Sequence, residues 1–433
     1  MGTTGLGTTG QGTTGQGTTE SAVEGLGIAG VSVEEPAKVG LSAERLGRIG
    51  PYFRSKYVDP GRLAGVLTLV ARRGQVVHLA TSGQRDLERG AALSADTVFR
   101  LYSMTKPVTS VALMTLYEEG LFQLDDPVSR WLPELGDLSV HVAGGGRVAN
   151  DVPITVQHLL THTSGLTYGF LMETEVDALY RERGVGNLEL RGDLASMVSA
   201  LGELPLLFTP GTRWNYSVST DVCGRLVEVL SGRPLDAFIA DRVFAPLGMT
   251  ETGFCVAADQ RERFAACYTP HRDGGVHRID DPAASPYLHA PSFLSGGGGL
   301  VGTAADYLRL CTMLLNRGEL DGVRILGRKT VELMTTNHLP TGGDLSSMGR
   351  PVFSETSYDG IGFGLGFSVM LDPARAHVVG SPGEFAWGGA ASTMFWVDPR
   401  EELIGMLLTQ LVPSSTYPLR REMKVLTYQA LVD

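Results

Sequence analysis

Val98-Phe99-Arg100-Leu101-Tyr102-Ser103-Met104-Thr105-Lys106-Pro107 is the stretch on which the fold turns. An apolar, strand-like run over Val98–Tyr102 passes into a long apolar helix that begins near Pro107. Serine and lysine three apart on a helix project from one face. A lysine amine held beside a serine hydroxyl in a partly desolvated first turn loses its charge more readily and can accept the serine proton. The positive end of the helix dipole acts in the same sense, against a charged lysine and for a developing alkoxide. By chance alone, Ser-x-x-Lys arises about once or twice in a chain of this length. A capping serine followed by a solvated lysine is the plain alternative. Here the pattern occurs once, at a strand-to-helix junction.

Acyl transfer by such a pair needs a second proton relay and an oxyanion hole. Two later segments offer them. In Thr209-Pro210-Gly211-Thr212-Arg213-Trp214-Asn215-Tyr216-Ser217-Val218, a Pro-Gly turn leads into an aromatic run, and Tyr216 precedes a helix. A tyrosine near cations ionises more easily and can serve as base or acid. An ordinary half-buried tyrosine is the alternative. The second segment is Ala386-Trp387-Gly388-Gly389-Ala390, at the start of a C-terminal hairpin. Its two glycines let a strand backbone come close to a substrate. The Ala390 amide could then donate to an oxyanion alongside the Ser103 amide.

Ser103-Met104-Thr105-Lys106, Tyr216-Ser217-Val218 and Trp387-Gly388-Gly389 resemble, in that order, the three motifs of family VIII carboxylesterases. These are serine esterases with the class C β-lactamase and DD-peptidase fold. The first residues of the motifs are 113 and 171 positions apart. His158 through Leu166 and Gly296 through Asp306 resemble the same superfamily, so the likeness runs from about residue 40 to the end. It implies Ser103 as nucleophile and Lys106 and Tyr216 as its base and relay. It also implies an oxyanion hole from the amides of Ser103 and Ala390, with Trp387 lining the pocket beside Gly388, Gly389 and Val218.

The departures from β-lactamases carry information too. There the second motif ends in Asn and the third begins with a cation, where this chain has Val218 and Trp387. A β-lactam or peptidoglycan carboxylate would be held by that cation. An apolar Trp favours neutral esters; the expected function is hydrolysis of neutral, short-chain carboxylic esters, with weak β-lactam hydrolysis as a side activity of the same nucleophile. An acyltransferase of the same fold, and a β-lactamase or DD-peptidase, are the rival enzymes. A non-catalytic binding protein on the same scaffold is the rival outside catalysis.

Around these motifs the sequence predicts an α+β chain. Strand-like runs at Ala64–Ala71 and Gln75–Thr81, and at Ala391–Val397 and Leu403–Thr409, form hairpins near both ends. They imply one antiparallel sheet assembled from the two termini and flanked by helices, with a mostly helical second lobe. Helices are expected over 43–58, after Ser103, over 155–163, 222–230 and 304–315, and over 418–432. Residues 1–35 read as a Gly/Thr-rich tail. Residues 36–433 read as a single catalytic domain, with the sheet lobe at about 36–100 and 360–433 and the helical lobe at about 101–359.

The chain has 433 residues, 43% of them apolar, so it can build a large core. A net charge of −11 argues against nucleic acid and anionic membranes as partners, leaving a small-molecule ester. Cys223, Cys255, Cys267 and Cys311 form no Cys-x-x-Cys and read as buried thiols of a reducing cytoplasm, though spacing leaves a disulfide open. The opening residues lack the basic and apolar regions of a signal peptide, which also points to the cytoplasm. No cofactor is expected. Ser295-Gly296-Gly297-Gly298-Gly299 lacks the Lys-Ser/Thr of a phosphate loop, and His158 and His162 lack the Glu of a zinc motif. Asp125-Asp126-Pro127 reads as a turn and cap.

Overall fold

The structure is a computed structural model that describes residues 1–2, 32–187, 192–272, 274–349, 355 and 358–433. Most of the predicted tail therefore lies outside the described residues. The frame is an antiparallel sheet of eight strands: β1 (Gly65–Arg72), β2 (Gln75–Asp86), β3 (Ala91–Ala92), β4 (Ile361–Phe363), β5 (Ser368–Met370), β6 (Phe385–Gly388), β7 (Met394–Asp398) and β8 (Leu403–Leu408). Their order across the sheet is β4-β5-β6-β7-β8-β1-β2-β3. The two chain ends meet where β1 pairs with β8, Leu67 opposite Leu408 and Arg72 opposite Leu403.

Both faces of the sheet are covered, so every residue of β1 is buried. The pleat divides them: Leu67, Leu69 and Ala71 join the large core toward the helical lobe, while Val66 and Val70 join a second core. That second core is closed by Leu46, Ile49 and Phe53 from the N-terminal helical segment and by Met423 near the C-terminus. The segment 43–58 is not one continuous helix. It breaks into Ala43–Leu46, Ile49–Phe53 and a wider turn over Arg54–Val58, because Gly47, Gly50 and Pro51 interrupt its hydrogen-bond ladder.

Four helices matter for the site: α1 (Thr105–Glu118), α2 (Ser219–Ser231), α3 (Ala304–Leu315) and α4 (Leu419–Tyr428). In α1 every residue from Thr105 to Leu116 is buried, as its apolar circumference demands. It ends at Gly120, whose φ of 75° only glycine adopts cheaply. α2 packs on α1, and α3 packs on β7 and β8. The Thr303 hydroxyl caps α3 by accepting the Asp306 amide at 3.3 Å.

The C-terminal hairpin differs from expectation in one respect. Ala391–Thr393 is not strand: Phe385–Gly388 forms β6, the chain turns over 389–393, and β7 begins only at Met394. The glycine pair therefore ends a strand rather than starting one. No helix among the described residues is long and apolar enough to cross a membrane. Cys223, Cys267 and Cys311 are buried, Cys255 is half-exposed, and all four thiols are free.

Candidate active site

Ser103 sits in a tight helical turn, Tyr102–Met104, that runs straight into α1. Tyr102, just before it, holds a left-handed φ of 45°, a strained conformation for a tyrosine. Surrounding bonds fix that turn. The Leu101 amide donates to Leu300 O at 2.9 Å, the Tyr307 hydroxyl donates to Met104 O at 2.9 Å, and Thr109 Oγ1 donates to Gly296 O at 2.8 Å. Just upstream, the Arg100 side chain is fully buried. Its Nε donates to Asp280 at 2.8 Å and its guanidinium lies 4.0 Å from the Phe264 ring centre.

The three motif residues converge. The Tyr216 hydroxyl donates to Ser103 Oγ at 2.5 Å, and Lys106 Nζ donates to the same oxygen at 3.4 Å. Nζ also reaches Gly297 O at 2.7 Å and the Tyr168 hydroxyl at 3.1 Å, and lies 4.5 Å from the Tyr216 ring centre. Burial brings the Lys106 ammonium down to about 7, with the Asp221 carboxylate pulling the other way. Burial also raises Tyr216 above the ordinary phenol range, against smaller lowering effects from Ser103 and Trp387. This corrects the expectation that Tyr216 ionises easily: desolvation of the phenolate outweighs the nearby cation.

β6 brings the third motif to the same place. Gly389 leaves the sheet directly against Leu101 O and Thr393 Oγ1, where a side-chain carbon would collide with both. Only glycine lets the chain pass there, and the next residue, Ala390, lines the same cleft as Ser103. Trp387 packs its ring 5.7 Å from Tyr216 and 5.2 Å from Phe363. Ser103, Tyr216, Val218, Trp387, Gly388, Gly389 and Ala390 all line one cleft of about 1000 Å³, with Lys106 buried behind them.

Three residues here were not singled out by sequence. Tyr168 and Asp221 flank Lys106. Both were within reach of notice, Tyr168 two positions past the His158–Leu166 stretch and Asp221 an acid at the start of a buried helix. Arg420, from the first turn of α4, lines the cleft and donates to Gly389 O at 3.2 Å. Nothing in the sequence marks it, because 31 residues separate it from Gly389. The two histidines go separate ways: His158 Nδ1 accepts the Thr155 amide, while buried His162 meets Ser217 Oγ at 3.1 Å.

The Beta-lactamase family profile matches residues 54–429. The chain belongs to the Beta-lactamase family. Its relatives include Protein Rv1367c of Mycobacterium tuberculosis, 39% identical over 364 residues, covering 82% of this chain and 88% of the relative. Esterase EstB of Burkholderia gladioli is 35% identical over 366 residues, covering 80% and 86%. Among solved structures, EstCE1, a hydrolase with promiscuous acyltransferase activity, superposes with a TM-score of 0.75 at 29% identity, covering 89% of this chain and 98% of that one. The Beta-lactamase-family fold is therefore established, and with it the likeness to serine esterases stated from the motifs.

Proposed function

We propose that this Beta-lactamase-family protein is a serine carboxylesterase, cleaving neutral esters with short acyl chains through an acyl-enzyme on Ser103. The observation that carries the reading is the convergence of Ser103, Lys106 and Tyr216 at a cleft whose third motif begins with Trp387. Lys106, uncharged in part near neutral pH, takes the Ser103 proton as Oγ attacks the ester carbonyl. The amides of Ser103 and Ala390 receive the oxyanion. Tyr216, already donating to Oγ, gives its proton to the departing alkoxide and regains one from the Lys106 ammonium. Water then attacks the acyl-serine, and the same groups run in reverse.

EstB's name and EstCE1's description support the ester reading. A cleft of about 1000 Å³ is far larger than a short acyl group, so it also admits a sizeable alcohol, as leaving group or as acceptor. The test is hydrolysis of p-nitrophenyl esters from acetate to palmitate, with nitrocefin alongside and added alcohols as competing acceptors. Fast cleavage of short esters, lost in Ser103→Ala with the fold retained, is the expected result. Ester cleavage that survives Ser103→Ala would refute the assignment.

A further inference from the structure

Asp221 lies at the start of α2 and is 3% exposed. Its Oδ1 accepts Ser295 Oγ at 2.6 Å and the Gly297 amide at 3.0 Å. The carbonyl of that same Gly297 accepts Lys106 Nζ at 2.7 Å. One residue thus faces a carboxylate with its N–H and an amine with its C=O. On the other side of Gly297, Oδ2 and the Tyr168 hydroxyl stand together. A Cβ at position 297 would be 2.7 Å from Oδ2 and 2.9 Å from that hydroxyl, so glycine is required for all three groups to meet. Tyr168 in turn accepts from Nζ at 3.1 Å. The Tyr168 hydroxyl hydrogen-bonds Asp221, so apart from Ser103 both groups that hold Nζ are themselves held by Asp221.

A carboxylate taken out of water is costly even with two donors. Helix packing alone does not call for one at the start of α2. We infer that Asp221 is a positioning residue for the Ser103–Lys106 pair, acting through Gly297 and the Tyr168 hydroxyl. The inference rests on the ester-cleaving reading of the site. Asp221 fixes Nζ within reach of Ser103 Oγ, and its charge offsets the ammonium that forms each time Lys106 takes a proton. The titratable groups around Lys106 are Ser103 on its own turn, Tyr168, His162 and Tyr216 from the helical lobe, and Asp221 from α2, with Arg420 beyond Tyr216. Asp221 is the anion whose field reaches the amine.

Asp221→Asn keeps Oδ1 and its bonds to Ser295 and Gly297, removes the charge, and turns the Oδ2 acceptor beside the Tyr168 hydroxyl into an amide donor. The acid limb of kcat/KM for p-nitrophenyl butyrate should move to lower pH by about one unit, because the ammonium loses its counter-charge. At the same time kcat should fall on the order of tenfold with little change in KM. Tyr168→Phe keeps the ring and deletes only the hydroxyl, and it should move the limb in the same direction. Folded Asp221→Asn with an unmoved acid limb overturns the inference. If that variant does not fold, an unmoved limb in Tyr168→Phe overturns it instead. Esterase activity that survives Ser103→Ala would defeat the underlying reading. A Ser103-dependent enzyme whose limb ignores Asp221 would defeat only the positioning role.

Discussion

Replacing Gly389 with alanine tests how the oxyanion hole is built. A Cβ there would enter the van der Waals shells of Thr393 Oγ1 and Leu101 O. Neither can retreat freely. Leu101 O receives the Met104 amide at 3.0 Å, within the turn that carries Ser103, and the turn around Thr393 is held by the Gly389 amide bonding to Thr393 O at 2.9 Å. The backbone at 389 must therefore move away from the Ser103 turn and take the Ala390 amide with it. Loss of one oxyanion donor costs about a hundredfold to a thousandfold in kcat, or roughly 3–4 kcal/mol of transition-state stabilisation. Overpacking adds about 1–3 kcal/mol of lost stability. The assay is kcat and KM on p-nitrophenyl butyrate, with near-UV circular dichroism to establish folding. Gly275→Ala is the control, since a Cβ there meets nothing within 4 Å. A folded Gly389→Ala enzyme with kcat within about twofold of the parent would refute the placement of the Ala390 amide in the oxyanion hole.

Two further outcomes follow from the charges at the site. Because burial brings Lys106 down to about 7, kcat/KM should rise with pH through that region and fall about tenfold per unit below it; a profile flat from pH 5 to 8 would contradict Lys106 as base. Trp387→Lys would restore a cation at the head of the third motif, so the ratio of nitrocefin to p-nitrophenyl butyrate turnover should rise at least about tenfold; an unchanged ratio would show that Trp387 does not exclude anionic substrates.

What the sequence made legible was the chemistry-bearing residues and the meeting of both termini in one sheet. Ser103, Tyr216 and Trp387 each stand in a local pattern, and the short continuous apolar runs of β1 and β8 announce strands buried on both faces. The supports of those residues were less legible, because their partners are remote. Lys106 meets Tyr168 62 positions away and Gly297 191 away, and Asp221 reaches Gly297 across 76. No periodicity encodes such contacts. The four glycines of Ser295–Gly299 permit close backbone approach, but what Gly297 approaches, a buried lysine and carboxylate, is a fact of packing. The start of β7, expected at Ala391 and found at Met394, was misjudged for a local reason. Glycines fit a strand that opens and a strand that ends equally well, and only the Leu101 carbonyl decides between them.

In the proposed mechanism the same packing favours Lys106 over Tyr216 as the base. A neutral lysine beside a neutral tyrosine holds as many protons as an ammonium beside a phenolate. The two are forms of one coupled site, and counting charges along the chain cannot choose between them. Burial does choose. It disfavours the ammonium of Lys106 and the phenolate of Tyr216 alike, so the resting pair is the uncharged one. In that form Tyr216 keeps its proton and donates it to Ser103 Oγ, which leaves the lysine lone pair as the acceptor for the serine hydrogen. Once Lys106 becomes charged, the Asp221 carboxylate behind Gly297 is the group that offsets it. Reversing those roles would create a phenolate against the Trp214 and Trp387 rings, where desolvation outweighs the help that Arg420 gives the anion. On that proposal, the aromatic wall to which Trp387 belongs is also what keeps the tyrosine a donor.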